Sequence, residues 1–87
     1  MVLVCGNGIK HPGEIPWSDH LKVLGAVVEA GGFLEGSHVV RLIRRSTVTV
    51  IDVKKMFRRG LLYDPSGDVH LQPGDVLEVR LQRYGLF

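Results

Sequence analysis

Several features are scarce or missing in this 87-residue sequence, and each absence removes a class of protein. The single Cys5 excludes an intramolecular disulfide framework and a zinc site built from several cysteines. No apolar run approaches the ~20 residues that a membrane-spanning helix needs. The first residues, MVLVCGNG, lack the basic start and the long apolar stretch of a signal peptide. The chain is therefore either a cytosolic protein or a domain of a longer exported chain.

Groups that carry out catalysis are also scarce. Cys5 lies in a predicted strand with no neighbouring base to lower its pKa, and the Gly6-Asn7-Gly8 segment lacks the third glycine and the helix that bind phosphate. The histidines lie far apart at positions 11, 20, 38 and 70. The aspartates at 52, 64, 68 and 75 lie near predicted turns and strand ends, which favours capping roles over acid–base chemistry. We predict no catalytic residue, no metal site and no cofactor.

The composition is that of a globular protein. Hydrophobic residues make up 45% and charged residues 23% of the chain. A chain of this length has room for one core, which buries roughly two thirds of the surface of the unfolded chain. We therefore expect a single domain over residues 1–87, and the eleven glycines and four prolines indicate short elements with frequent turns.

Positive charge is unevenly distributed along the chain. The formal net charge is only +2, but seven of the eleven Lys and Arg residues lie in the segment 41–59. They are Arg41, Arg44, Arg45, Lys54, Lys55, Arg58 and Arg59. Such a cluster is either a site for an anionic partner or a solvated strand edge and helix face. The modest net charge and the lack of interleaved aromatic residues favour the second interpretation.

Turn residues and alternating apolar residues predict five strands. The first strand lies around Val2–Val4 and ends at the Gly6–Gly8 turn. Pro12-Gly13 predicts a turn before a second, short strand over residues 14–17, which completes a hairpin. VVRLIRR and VTVIDV predict a second hairpin around Ser46, although alternation alone does not show which face of VTVIDV meets the core. The last strand follows the Pro73-Gly74-Asp75 turn and has Leu77, Val79 and Leu81 on one side.

One helix is predicted clearly and a second only weakly. Ser18 is a suitable N-cap, and apolar residues then recur at steps of three and four until Gly31-Gly32, which predicts a helix from about Ser18 to Ala30. The basic segment KKMFRRG, residues 54–60, predicts a second helix of one or two turns. This order of elements indicates an α+β fold in which a β-grasp-like mixed sheet packs on one main helix, with the last strand inserted beside the first.

Together these segments resemble the SLBB domains, soluble-ligand-binding β-grasp modules of bacterial polysaccharide export proteins. The resemblance rests on an ordered set covering nearly the whole chain: GNGIKHPGEIPW, VVEAGGFLEGSHVVRLIRR, VTVIDVKKMF and LQPGDVLEV. One departure is Asn7, which stands where the family usually has glycine and predicts a shifted bulge in the first hairpin. The resemblance implies structural roles for Pro12, Gly13, Gly31, Gly32, Pro73, Gly74 and Asp75.

Three of these roles have a physical basis. Gly13 is expected to turn the first hairpin. Gly31-Gly32 is expected to end the helix where a side chain would collide with the sheet. Asp75 is expected to bind backbone amides of its turn and so fix the register of the last strand.

The resemblance implies a non-catalytic binding or assembly module of a polysaccharide export system. Such a chain would be periplasmic and associated with the outer membrane as part of a parent protein. Its partners would be polysaccharide or other domains of the export complex, with side-by-side packing of copies in a ring. The alternatives are binding of nucleic acid or another polyanion through the basic cluster, and an SLBB module in a DNA-uptake or redox complex.

Four residues are candidates for ligand contact: Trp17, Phe33, Arg41 and Arg44. Trp17 directly precedes the predicted helix, where it either covers the core or stacks on a sugar ring, and core packing is favoured. Tyr63, Tyr84 and the terminal YGLF are weaker candidates for contacts of the same kind or with another domain.

Overall fold

The computed structural model describes residues 1–34, 37–53, 57–58, 62–63 and 68–81. Within these ranges the chain forms one helix and two sheets, and the larger sheet has five strands. The elements are β1 (Val2–Cys5), β2 (Gly13–Ile15), α1 (Val23–Glu29), β3 (Val39–Arg44), β4 (Thr47–Asp52), β5 (Phe57–Arg58), β6 (Leu62–Tyr63) and β7 (Val76–Val79). The predicted α+β class with a mixed sheet and one main helix is confirmed.

The five-stranded sheet has the order β2-β1-β7-β3-β4. The first and last strands, β1 and β7, are parallel neighbours at its centre, and Val4 lies opposite Leu77. The other pairs, β1–β2, β3–β7 and β3–β4, are antiparallel. Both predicted hairpins and the insertion of the last strand beside the first are therefore present.

The face of the sheet that packs on α1 holds the hydrophobic core. Strand residues with little or no exposure, among them Val2, Val4, Leu77 and Val79, meet Val23 and the other buried helix residues there. The sequence alone did not show which residues of β4 face the core. In the structure Ile51 and Val53 are buried, while Val48 and Val50 are exposed. We call the helix-packed side the inner face and the opposite side the outer face.

The helix begins five residues later than predicted. Its N-cap is Lys22, which makes no side-chain capping hydrogen bond, and Ser18 lies in a preceding turn. The prediction was wrong because Leu21 and Lys22 pair with a distant segment instead: Leu71 N–H donates to the Leu21 carbonyl at 2.9 Å, and Lys22 forms an isolated bridge with His70.

The free amides at the start of α1 are satisfied by that same distant segment. Val23 N–H donates to the Val69 carbonyl at 3.1 Å, and Leu24 N–H donates to Asp68 Oδ1 at 3.0 Å. A carboxylate near the positive end of a helix is favourable, and it accepts a bond that water would otherwise have to make. Asp68 therefore has the capping role predicted for the aspartates, but for a helix 44 residues away in sequence.

The helix ends at the predicted glycine pair. Gly31 has φ +87°, and its N–H donates to the Val28 carbonyl, while the Gly32 N–H donates to Val27. These two bonds form a Schellman motif. The expected reason for the glycines was partly wrong, because a Cβ on Gly31 would collide with His11 rather than with the sheet, and a Cβ on Gly32 would meet open space.

The connection between β1 and β2 is longer than a tight turn. Gly13 is the first residue of β2 and not the turn of the hairpin, so that prediction was wrong. The chain instead turns at Gly6, where φ is +103° and a Cβ would collide with the Val79 carbonyl. Asn7, the departure from the family pattern, accepts a hydrogen bond from Leu81 N–H at 2.7 Å and so joins this loop to the end of β7.

The second predicted helix, residues 54–60, falls mostly outside the described residues. Its two described residues form β5, which pairs with β6 in a small separate sheet. The helix prediction was therefore wrong for Phe57 and Arg58.

Candidate functional site

A polar groove lies on the inner face at the tip of the β3–β4 hairpin. Its volume is about 470 Å³, within the range of small-molecule binding sites. Its lining residues are Leu42, Arg44, Arg45, Ser46, Thr47, Thr49 and Gln72. Apart from Leu42, every one of these side chains carries a hydrogen-bonding group.

The register of the hairpin explains why these side chains meet. Arg44 lies opposite Thr47, and Leu42 lies opposite Thr49, so all four side chains are on the same face of the sheet. Further along the same face, Val40 and Ile51 are buried in the core. Thr47 and Thr49 are exposed, so at this end the inner face is open to solvent.

Arg44 is held at the wall of the groove by a two-bond ion pair. Its Nε and Nη2 donate to the two carboxylate oxygens of Asp75 at 3.0 and 2.7 Å. Burial raises the pKa of the Asp75 carboxyl, but the hydrogen bonds from Arg44 and from the Gln72 N–H outweigh it, so the pKa lies below its ordinary value. The Gln72 N–H bond, at 2.8 Å, also confirms that Asp75 binds a backbone amide of its turn.

The short segment His70–Gln72 connects the groove to the start of the helix. The His70 carbonyl accepts a bond from Arg44 Nη2 at 3.1 Å, and the Leu71 carbonyl accepts one from Trp17 Nε1 at 2.8 Å. Gln72, the next residue, lines the groove. Trp17 is half-buried against the core, as favoured from the sequence, and its indole N–H is already occupied.

Arg45 has an unusual backbone for its residue type. It is the first residue of the two-residue turn between β3 and β4, and its φ is +57°. With positive φ at this first position only, the turn follows the type II′ pattern, in which glycine is preferred. A sparsely populated backbone conformation of this kind costs a residue other than glycine roughly 1–3 kcal/mol. Within the described part of the chain, no residue forms a salt bridge with Arg45.

The four predicted ligand residues do not form one surface. Arg44 lines the groove, but Arg41, three residues earlier, lies on the outer face and pairs with Glu78 at 2.9 Å. Phe33 packs against the core and bridges to Ile9, and Trp17 supports the segment beside the groove without lining it.

Sequence reasoning missed Thr47, Thr49 and Gln72 as groove residues. The signal for the threonines was present, because a two-residue turn at Arg45-Ser46 fixes which residues lie opposite each other. Gln72 had no such signal, since the long-range bonds of its neighbours bring it to the groove: the His70 carbonyl accepts from Arg44, and the Leu71 N–H donates to the Leu21 carbonyl.

The described residues contain no group of three His, Cys, Asp or Glu side chains positioned to hold a metal ion. Cys5 is half-buried on the outer face, where burial, together with the negative charge of Glu78, raises the pKa of its thiol. A raised pKa disfavours the thiolate that a nucleophile requires. Across the described ranges, no helix is long and apolar enough to cross a membrane.

Two comparisons with known proteins found no match. No protein-family model matches the chain, and a search of curated proteins found no significantly similar sequence.

Proposed function

We propose that this chain is a non-catalytic, SLBB-like β-grasp module of a polysaccharide export system, and that the groove at the β3–β4 tip contacts an acidic glycan. The single observation that carries the proposal is the lining of the groove, in which Arg44 and Arg45 flank hydroxyl and amide groups. The remaining parts of the proposal, a periplasmic parent chain at the outer membrane and contacts with neighbouring export domains, follow from the sequence motifs.

The groove chemistry suits a carboxylated sugar better than a neutral one. Guanidinium groups bind carboxylates through charge-assisted hydrogen bonds, and the Ser and Thr hydroxyls can donate to or accept from sugar hydroxyls. Arg44 is already paired with Asp75, so Arg45 supplies the positive charge that is left for a ligand. None of the described residues that line the groove is aromatic, so none of them can stack on a sugar face.

The strand order supports the β-grasp part of the proposal. A hairpin, a crossover helix, a second hairpin and a last strand inserted parallel to the first is the arrangement that the sequence motifs led us to expect. The Gly74-Asp75 turn before β7 connects the sheet to the groove. Asp75 accepts a hydrogen bond within that turn and also binds Arg44, which lines the groove.

An NMR titration of the labelled chain tests the proposal. We expect uronate-containing oligosaccharides to shift the amides of residues 44–49 and Gln72, while neutral oligosaccharides of equal length shift them much less. Arg45→Gln should weaken the uronate interaction at least about fivefold. The matched control is Arg41→Gln, which removes the same charge from the outer face and should leave the affinity unchanged.

A short single-stranded DNA serves as the polyanion control. Equal shifts with DNA and uronate, both lost on adding salt, would show a general polyanion surface. No shift with any oligosaccharide would contradict the glycan proposal. The structure gives the polyanion alternative little support, because Arg41 and Arg44 lie on opposite faces and each is paired with a carboxylate.

A further inference from the structure

The solvent side of the helix is almost as apolar as its core side. The sequence of α1 is VLGAVVE, so Glu29 is the only charged residue within it. Three of its residues are buried against the sheet: Val23, Ala26 and Val27. The solvent side therefore consists of Leu24, Gly25, Val28 and Glu29, and Val28 is 72% exposed, the highest value among the large hydrophobic side chains that the structure describes. A surface helix ordinarily carries polar residues opposite its core stripe, and a helix that is apolar all round is ordinarily buried.

Gly25 lies at the centre of this solvent side, and the fold of a single chain does not explain why it is a glycine. Gly25 does not have a positive φ. A Cβ built on it would meet only Leu21 Cδ1, at the ordinary contact distance of 3.6 Å. Alanine would therefore fit, and it would lose less conformational entropy on folding. A glycine that the fold does not require allows another backbone to approach the helix closely.

We infer that the solvent side of α1 binds the same side of α1 in a second copy of the chain, with the two helices antiparallel about a two-fold axis beside Gly25. The glycines let the two helix backbones meet closely, and Val28 of each copy packs on Leu24 of the other. The contact uses none of the residues that line the groove, so the inference does not depend on the glycan proposal.

Charge at the two ends of α1 favours a second copy as the occupant. Lys22 is the N-cap and Glu29 is the last helical residue. Their separation of seven residues is about two turns, so both lie on one flank of Gly25, while Leu24 and Val28 lie on the other flank. Among the residues that the structure describes, none forms an ion pair with Lys22 or Glu29.

The antiparallel two-fold arrangement pairs these two charges. It keeps each flank on the same side in both copies and exchanges the helix ends, so Lys22 of each copy lies beside Glu29 of the other. The apolar flanks also meet each other. Parallel helices related by a two-fold axis would instead place the charged flank of each copy against the apolar flank of the other, which leaves both charges without a partner.

The contact closes at two copies and is small. A two-fold interface uses the same surface on both copies, so assembly stops at a dimer. Two turns of helix bury less than the roughly 1,200 Å² of a standard interface, so we expect a weak, reversible dimer with a dissociation constant of about 0.1–1 mM.

Sedimentation velocity of the 87-residue chain, from about 10 µM to about 1 mM, tests the inference. The wild type should shift from monomer towards dimer over this range. Gly25→Ala should weaken association at least about fivefold, because the added methyl groups hold the two helices apart. The same substitution should raise the melting temperature of the monomer by about 4 °C, since alanine favours the helix. A glycine without an external contact would show only the second effect.

An exchange of charges separates the inferred pairing from a general surface effect. Glu29→Lys should weaken association at least about fivefold at low salt, because like charges then face each other at both ends of the contact. Adding Lys22→Glu to this variant restores opposite charges and should return the affinity to within about twofold of the wild type. The matched control is Glu14→Lys, which makes the same charge change at an exposed position of β2 and should leave association unchanged.

Several results would overturn the inference. A wild type that remains monomeric at about 1 mM would assign the apolar side of α1 to a different partner, and assemblies larger than two would exclude the two-fold contact. Unchanged association of Gly25→Ala, equal weakening by Glu14→Lys, or a charge exchange that does not restore the affinity would each contradict the arrangement of the helices.

Discussion

The helix-covered part of the sheet and the tip of the β3–β4 hairpin differ in how much of their side chains is exposed to solvent. In β1 and β7 the inward side chains, such as Val4 and Leu77, have no exposed surface at all. At the hairpin tip every residue from Arg45 to Val50 is exposed, including two valines. The contrast indicates that the first region supplies the stability of the fold, whereas the second is the region where we propose contacts outside the chain.

The largest effect is expected from a cavity in the covered region. Leu77→Ala should lower the free energy of unfolding by about 3 kcal/mol, because a fully buried leucine loses its contacts and leaves a cavity between the sheet and α1. Val50→Ala should change it by less than about 0.5 kcal/mol. Urea unfolding of both variants measures the difference, and similar losses in the two would break the comparison.

The ion pair between the two regions should have the next largest effect. Arg44→Met leaves the Asp75 carboxylate, which is 2% exposed, without its charge partner. We expect a loss of about 2–3 kcal/mol, less than for a fully buried pair, since the Arg44 side chain is 30% exposed. Urea unfolding at neutral pH measures it, and a loss below about 0.5 kcal/mol would show that the pair does not join the regions.

The same pair predicts a dependence of stability on pH. The pKa of Asp75 is lowered in the folded chain. Its contribution should therefore be complete above the ordinary aspartate value and be lost as the pH falls through the lowered, folded value. Asp75→Asn should flatten this acid-side decline. An unchanged decline in the variant would assign the acid sensitivity to other carboxylates.

A smaller effect is expected at the helix start. Asp68→Ala should cost about 1 kcal/mol or more, because the Leu24 amide loses its acceptor at the positive end of α1. Ser18→Ala, at the N-cap predicted from the sequence, should cost almost nothing. Thermal unfolding of the two variants decides between the two caps, and a larger loss for Ser18→Ala would contradict the structure.

The sequence predicted the features that local chemistry determines. Alternation and turn residues located the five strands of the main sheet, and the Gly31-Gly32 pair located the end of the helix. The helix start could not be found this way, because Lys22 is an N-cap only through its pairing with His70, and the capping group lies on Asp68. Long-range contacts of this kind leave no pattern in the local sequence.

The candidate site divides in the same manner. The chemistry of Arg44 and Trp17 suggested binding roles. In the structure Arg44 is hydrogen-bonded to Asp75 and Trp17 to the Leu71 carbonyl, so both side chains also stabilise the fold. The groove depends on which side chains of β4 lie on the inner face of the sheet. The alternation of residues in the sequence left this undetermined. Arg45 was one of the seven basic residues of the segment 41–59, and its positive φ distinguishes it from the other described members of that cluster.

The most direct test of the contrast between stability and binding is a single substitution whose effects on the free energy of unfolding and on glycan affinity are both measured. Arg45→Gly relieves the left-handed backbone at φ +57° and removes the groove charge that no carboxylate in the described part of the chain neutralises. We expect the free energy of unfolding to rise by about 0.5 kcal/mol, and the affinity for a uronate oligosaccharide to fall at least fivefold, to the level of Arg45→Gln or below. A variant that is more stable and binds equally well would contradict the account, because the strained arginine would then have no part in the groove.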